Sequence, residues 1–151
     1  MLIETLKALF DRDLKKLRTE IDLYNSEDML WHFEKGISNS AGNLCLHLVG
    51  NLNGFIGATL GHTDFVRQRD LEFSLKGIPK SELLRQIDDT IDVVRNTLDQ
   101  LSPADLAKEF PVVVFGGKTT STEYMLVHLA THLGYHLGQV NYHRRLLDVA
   151  S

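Results

Sequence analysis

Four of the seven histidines in this chain of 151 residues stand close together, at His128, His132, His136 and His143. On a helical wheel of about 100° per residue, with His128 as zero, His132 falls at about 40°, His136 at about 80° and His143 at about 60°. The leucines of the same run centre at about 140°, so the imidazoles line one edge of a buried stripe. His132 and His136 are i and i+4, the spacing at which two side chains of one helix can chelate a single ion. His143 shares their direction but sits two turns beyond His136, too far to join that ion. His47 stands in a second apolar run beside Leu44, Leu48 and Leu52. If the two runs pack together as helices, His47 completes a three-nitrogen site. Three neutral imidazoles suit Zn, Ni or Fe(II) and leave a coordination position for water or substrate, as in a catalytic rather than a structural site. Without an ion they need three sets of hydrogen-bond partners and repel one another when protonated. The i, i+4 pair by itself is a weak signal, and it also reads as two satisfied structural histidines.

Other polar residues admit two readings each. Asn51, one turn beyond His47, and Gln139 either orient ligands or substrate or fill a buried polar gap. His128, one turn before His132, is either a supporting residue of the site or a partly exposed structural histidine. Arg67, Arg69, Asp70 and Glu72 form a charged segment directly after the second apolar run. It reads as an anion-binding rim that covers the opening and selects the substrate's charge, or as a solvated loop. Cys45 points to the leucine side and reads as a small core residue, not a thiolate nucleophile. His32 and His62 fall in connections, facing solvent or packing.

The elements that must position these residues are four helices. Leu6, Phe10, Leu14, Leu17 and Ile21 predict a first helix near 2–24. The stretch 25–39 is too apolar at Met29, Leu30, Trp31 and Phe33 for a solvated loop and reads as a connection folded back over the core. Ser38 or Asn39 is the expected cap of a second helix near 40–60, in which Gly50, Gly54 and Gly57 suggest close approach of a neighbouring helix. Residues 64–79 show no sustained period and read as a loop. Leu83, Leu84, Ile87, Ile91, Val94 and Leu98 predict a third helix near 81–101, and Ser102-Pro103-Ala104-Asp105 signals one more helical turn. Val112 to Thr120, with Gly116-Gly117, predicts at most a small hairpin. Thr120 with Glu123 reads as a capping box opening a fourth helix near 121–148. Four long helices without repeat or linker predict one all-α domain over 1–151, a four-helix bundle.

Composition is that of an ordinary globular chain, with 43% hydrophobic and 24% charged residues. A formal net charge of −4 argues against general affinity for nucleic acid or anionic lipid. One cysteine makes no internal disulfide, and no run reaches membrane-spanning length. A cytoplasmic protein with no membrane association is the expectation.

Read together, Leu126-Val127-His128-Leu129-Ala130-Thr131-His132-Leu133-Gly134-Tyr135-His136-Leu137-Gly138-Gln139 and Asn43-Leu44-Cys45-Leu46-His47-Leu48-Val49-Gly50-Asn51 resemble the DinB-like superfamily, four-helix bundles of DinB/YfiT type. The similarity covers nearly the whole chain, and its most specific piece is His-x-x-x-His followed by Gly138-Gln139. The Arg67-x-Arg69-Asp70-x-Glu72-Phe73 segment further resembles an uncharacterised branch of that superfamily. The resemblance implies a divalent metal held by His47, His132 and His136, a small-molecule substrate, and a homodimer. It also implies chemistry of the kind its characterised members perform, transfer to or from a low-molecular-weight thiol. The second helix run and the last one contain neither His-Glu-x-x-His nor paired Glu-x-x-His, which disfavours a zincin peptidase and a di-iron carboxylate bundle. The competing class is a non-enzymatic, stress-linked metal- or ligand-binding protein, because a fold shared with enzymes does not establish catalysis.

Overall fold

The computed structural model describes residues 1–149. Its elements are α1 (Leu2–Asp22), a 3-10 turn (Glu27–Trp31), α2 (Ala41–Leu52) continued by a π-helical stretch (Asn53–Leu60), α3 (Arg69–Ser74), α4 (Lys80–Asp99), α5 (Pro103–Ala107) and α6 (Thr122–Leu147). The chain is all-α, and the described residues contain no strand.

Each long helix forms where one face can be buried. On α1, Leu6, Phe10, Leu14, Leu17 and Ile21 are buried, and on α4 Leu83, Ile87, Ile91, Val94 and Leu98 are buried, as their 3- and 4-residue spacing requires. α1 packs against α4 and α6, and α2 packs against the same two, so the four long helices share one core. Every residue of α2 is buried. A helix apolar all round belongs in the interior, and His47 is carried there with it. The stretch 25–39 does fold back over the core: Leu30 is fully buried, and the Trp31 ring lies where a Cβ on Gly42 of α2 would stand.

Several local expectations are corrected. The N-cap of α2 is Ser40, not Ser38 or Asn39, with its hydroxyl accepting from the Asn43 N–H at 3.2 Å. α6 is capped by Ser121, not Thr120, with its Oγ accepting from the Tyr124 N–H at 3.1 Å. Ser121 also pairs with Glu109 across an isolated antiparallel bridge, and this extended backbone fixes the helix start one residue later than the Thr120–Glu123 spacing implies. The second helix is not uniformly α: beyond Leu52 its hydrogen bonds lengthen to five residues, as between the Gly61 N–H and the Ile56 carbonyl at 2.9 Å. The Asn53 amide donates to the Val49 carbonyl and to Thr90 Oγ1, both at 2.8 Å, competing with the regular ladder where it changes. Residues 69–74 form a short helix inside the segment expected to be a loop. A helix of six residues is under two turns and leaves no period to read. Between Val112 and Thr120 the chain stays within the expectation of at most a small hairpin: a tight turn with Gly116 and Gly117 at φ 58° and 80° and a single Phe115–Lys118 bridge. No helix of the described residues is long and apolar enough to cross a membrane.

Candidate metal centre

α2 and α6 bring His47, His132 and His136 together, 85 residues apart in sequence at the widest hydrogen-bond-length contact. His132 Nε2 lies 3.2 Å from His47 Nε2 and 3.1 Å from His136 Nε2. The rings meet edge to face, at 78° between His47 and His132 and 88° between His132 and His136, so the nitrogens converge while the ring faces do not stack.

The outer nitrogens show which ring atoms carry protons. His136 Nδ1 is 2.7 Å from Gln139 Oε1, and His47 Nδ1 is 3.0 Å from Glu72 Oε1. Both oxygens accept only, so each Nδ1 is the donor and each Nε2 turns a bare lone pair toward His132. Two such lone pairs at hydrogen-bond distance from one Nε2 exceed what a single N–H can satisfy. A cation resolves this conflict. Nitrogens about 2.0–2.1 Å from one ion stand about 2.8–3.4 Å apart when the angle between them is about 90–109°, and the observed separations fall inside that range. The three residues therefore fit a divalent metal.

Burial favours the neutral form of two of the three histidines. Burial, reinforced by His136 and His47, pushes the His132 pKa down to about 4, and burial also lowers that of His136. His132 Nδ1 is buried and has no hydrogen-bond partner among the described residues. A histidine whose folded-state pKa lies below its unfolded value of 6.5 supports the fold above that value. Its contribution is lost as pH falls from about 6.5 toward about 4. The metal-free protein is accordingly expected to melt at lower temperature as pH falls through that window, and His132→Ala is expected to flatten the slope. Thermal melts of the two proteins from pH 7 to pH 4 check this, and parallel slopes would contradict it.

The remaining sequence candidates divide. Gln139 touches His136 directly. Asn51 is buried, with Oδ1 lacking a partner among the described residues, but it is not one of the convergent ligands. His128 packs edge-on against Phe115 at 4.8 Å between ring centroids, and its ring centre is 6.2 Å from that of His132. His143 is buried on the same helix outside the cluster, and together with His136, Tyr135, Leu44, Ile37 and Asn39 it lines a cleft of about 500 Å³. Cys45 is fully buried and burial pushes its thiol up to about 12, as fits a core residue.

The expectation of a four-residue charged rim is corrected. Arg67 and Glu72 turn inward and pair with each other, Nε to Oε2 at 2.8 Å and Nη2 to Oε1 at 2.9 Å. Burial pushes the Glu72 carboxyl up, but the bonds from His47 and Arg67 outweigh it and hold its pKa below the usual value. Arg69 stays exposed, its guanidinium 5.7 Å from the centre of the Phe73 ring, which in turn lies 4.9 Å from that of His47. Glu72 is the residue that sequence reasoning did not place with the histidines. Its only signal was the glycine at position 50, where a Cβ would collide with the Glu72 carboxylate.

No curated protein matches the chain by sequence. The model of the family described as a protein of unknown function (DUF1572) matches residues 2–150, and with that coverage the chain belongs to this family.

Proposed function

We propose that this chain is a DinB-like metal-dependent enzyme in which His47, His132 and His136 hold one divalent ion of the Zn, Ni or Fe(II) kind, and that it acts on a small molecule together with a low-molecular-weight thiol. The observation that carries the reading is the convergence of three Nε2 atoms, separated by 3.1 and 3.2 Å along the pair of contacts to His132. A bound divalent cation would lower the pKa of a thiol or water that reaches it. Burial disfavours protonation of His132, and the acceptors Glu72 and Gln139 take the Nδ1–H of His47 and His136, so that the Nε2 lone pairs of both face the site. The chain's own residues do not supply the nucleophile, because the one cysteine is buried with its thiol protonated. An external thiol therefore fits the site better than a covalent enzyme intermediate. The cleft beside His136 offers space of about 500 Å³ for the partner molecule.

The test is metal content after purification without added metal, followed by thiol-dependent release of chloride from a chlorinated aromatic. In that reaction a C–S bond forms, the C–Cl bond breaks and the thiol proton passes to solvent. About one ion per chain with turnover supports the enzyme. Metal without turnover across several thiols favours a non-enzymatic metal binder, and a metal-free protein sinks both. Arg69→Ala is expected to weaken substrate use while leaving the metal affinity within about twofold, since its guanidinium lies on Phe73 and not on a ligand. Paired kinetic and metal titrations check this, and unchanged kinetics would remove Arg69 from the substrate's path.

A further inference from the structure

We propose that Glu72 is the positioning residue of the metal centre, held by Arg67 and Asn43 in a slot along α2 so that its carboxylate fixes the orientation and tautomer of His47. The inference rests on the metal reading above and assigns the segment 67–76 its purpose.

α3 has six residues and does not persist by its own backbone bonds. Asn43, fully buried one turn before His47, holds it. The Asn43 amide donates to the carbonyls of Glu72 at 2.9 Å and Leu75 at 2.8 Å, while its Oδ1 accepts from Ser40 Oγ at 2.7 Å and from the Lys76 ammonium. These bonds fix the backbone of Glu72 against α2. The side chain then needs room, and Gly50 supplies it, because a Cβ there would overlap the carboxylate. Gly54, one turn further, meets the Arg67 side chain, whose Cδ stands 3.3 Å from where a Cβ would be. Asn43, His47 and Gly50 share one face of α2 at i, i+4 and i+7, and Gly54 follows at the start of its π-helical continuation, so one stripe along the two receives Glu72 and Arg67.

Stability alone does not explain this arrangement. The side chains of Glu72 and Arg67 are only 7% and 19% exposed. A buried ion pair is commonly no more stabilising than apolar residues of the same volume. What the carboxylate adds is direction: with Nδ1–H donated to Oε1 at 3.0 Å, the His47 Nε2 lone pair is held toward His132 and His136. Arg67 neutralises the carboxylate through two bonds and keeps it from swinging out.

The test replaces Arg67→Met and Glu72→Met together, which removes both charges at once and leaves no unpaired buried ion. The probe is Co(II), titrated into metal-free protein and followed by its visible absorption. Wild type is expected to take up one Co(II). The double variant is expected to melt, metal-free, close to wild type, yet to bind Co(II) about 10–100-fold more weakly and with an altered band shape. In ¹⁵N-labelled metal-free protein, His47 is expected in the Nδ1–H form in wild type and to lose that preference in the variant, a change that mere packing would not produce. A folded double variant with wild-type Co(II) affinity, or an unchanged His47 tautomer, overturns the inference while leaving the metal reading intact. Wild type that takes up no Co(II) overturns the metal reading and this inference with it. Should the double variant fail to fold, Gly50→Ala, which displaces the carboxylate without removing a charge, is read by the same Co(II) titration: weakened binding supports the proposal and wild-type affinity overturns it.

Discussion

His132→Ala is expected to abolish metal uptake while leaving a folded protein. His132 is the shared member of both close nitrogen pairs, at 3.2 Å to His47 and 3.1 Å to His136. Removing it costs more than the about 10–100-fold that loss of a supporting partner costs. The fold itself gives up little. The His132 ring has a buried Nδ1 without a partner among the described residues, and its charged form is already disfavoured by burial. In wild type, metal at 100 times its Kd is expected to add about 2.7 kcal/mol of stability, roughly 5–11 °C in Tm for a chain of this size. In the variant this metal-dependent rise is expected to vanish. Melting curves with and without Zn(II), beside metal analysis, decide the matter, and a variant that keeps the rise would remove His132 from the ligand set.

The largest effect on stability is expected from Phe10→Ala. Phe10 is 1% exposed, on the face of α1 that packs between α4 and α6. Emptying such a site costs about 3–5 kcal/mol, because the surrounding helices collapse only partly into the void. Against a typical total of about 5–15 kcal/mol, that is a large fraction of the fold's stability. The three candidate ligands lie on α2 and α6, not on α1. Molecules that remain folded are therefore expected to bind Co(II) as wild type does. Urea unfolding should show the midpoint falling steeply while the Co(II) titration of the folded protein stays in place. A small midpoint shift would contradict the core assignment, and a joint fall of stability and affinity would contradict the separation of core from site.

These two expectations draw on different parts of what the sequence showed. The apolar stripes of α1 and α4 were legible because a long helix with one buried face writes its burial as a 3.6-residue period. The four histidines on one edge of α6 were legible for the same reason. α3 was not, because six residues hold fewer than two turns and its anchor, Asn43, lies 29 residues before Glu72. The change from α to π hydrogen bonding after Leu52 was also hidden, since it involves Asn53 reaching across to Thr90 on another helix. Gly50, Gly54 and Gly57 did mark close approach. Only at Gly57, where Val93 of α4 comes within 2.9 Å of a Cβ position, is the neighbour a long helix. At Gly50 and Gly54 the neighbours are the Glu72 and Arg67 side chains.

Helical geometry by itself determined that His132 and His136 present their rings to one place, because residues four apart on a single helix have no other relation. It determined nothing about His47, which needs α2 and α6 in contact and α2 turned to the right face. Burial on every side of α2 leaves its rotation open, and the stripe from Asn43 to Gly54 that receives α3 and Arg67 sets it. The direction of Glu72 was likewise a tertiary matter. In the sequence it is one acid in a charged run, indistinguishable from Asp70 two residues earlier, and only the backbone bonds to Asn43 and the pairing with Arg67 turn it inward to His47. Local spacing encodes which side chains share a helix face, whereas the meeting of two faces depends on the packing of the whole core.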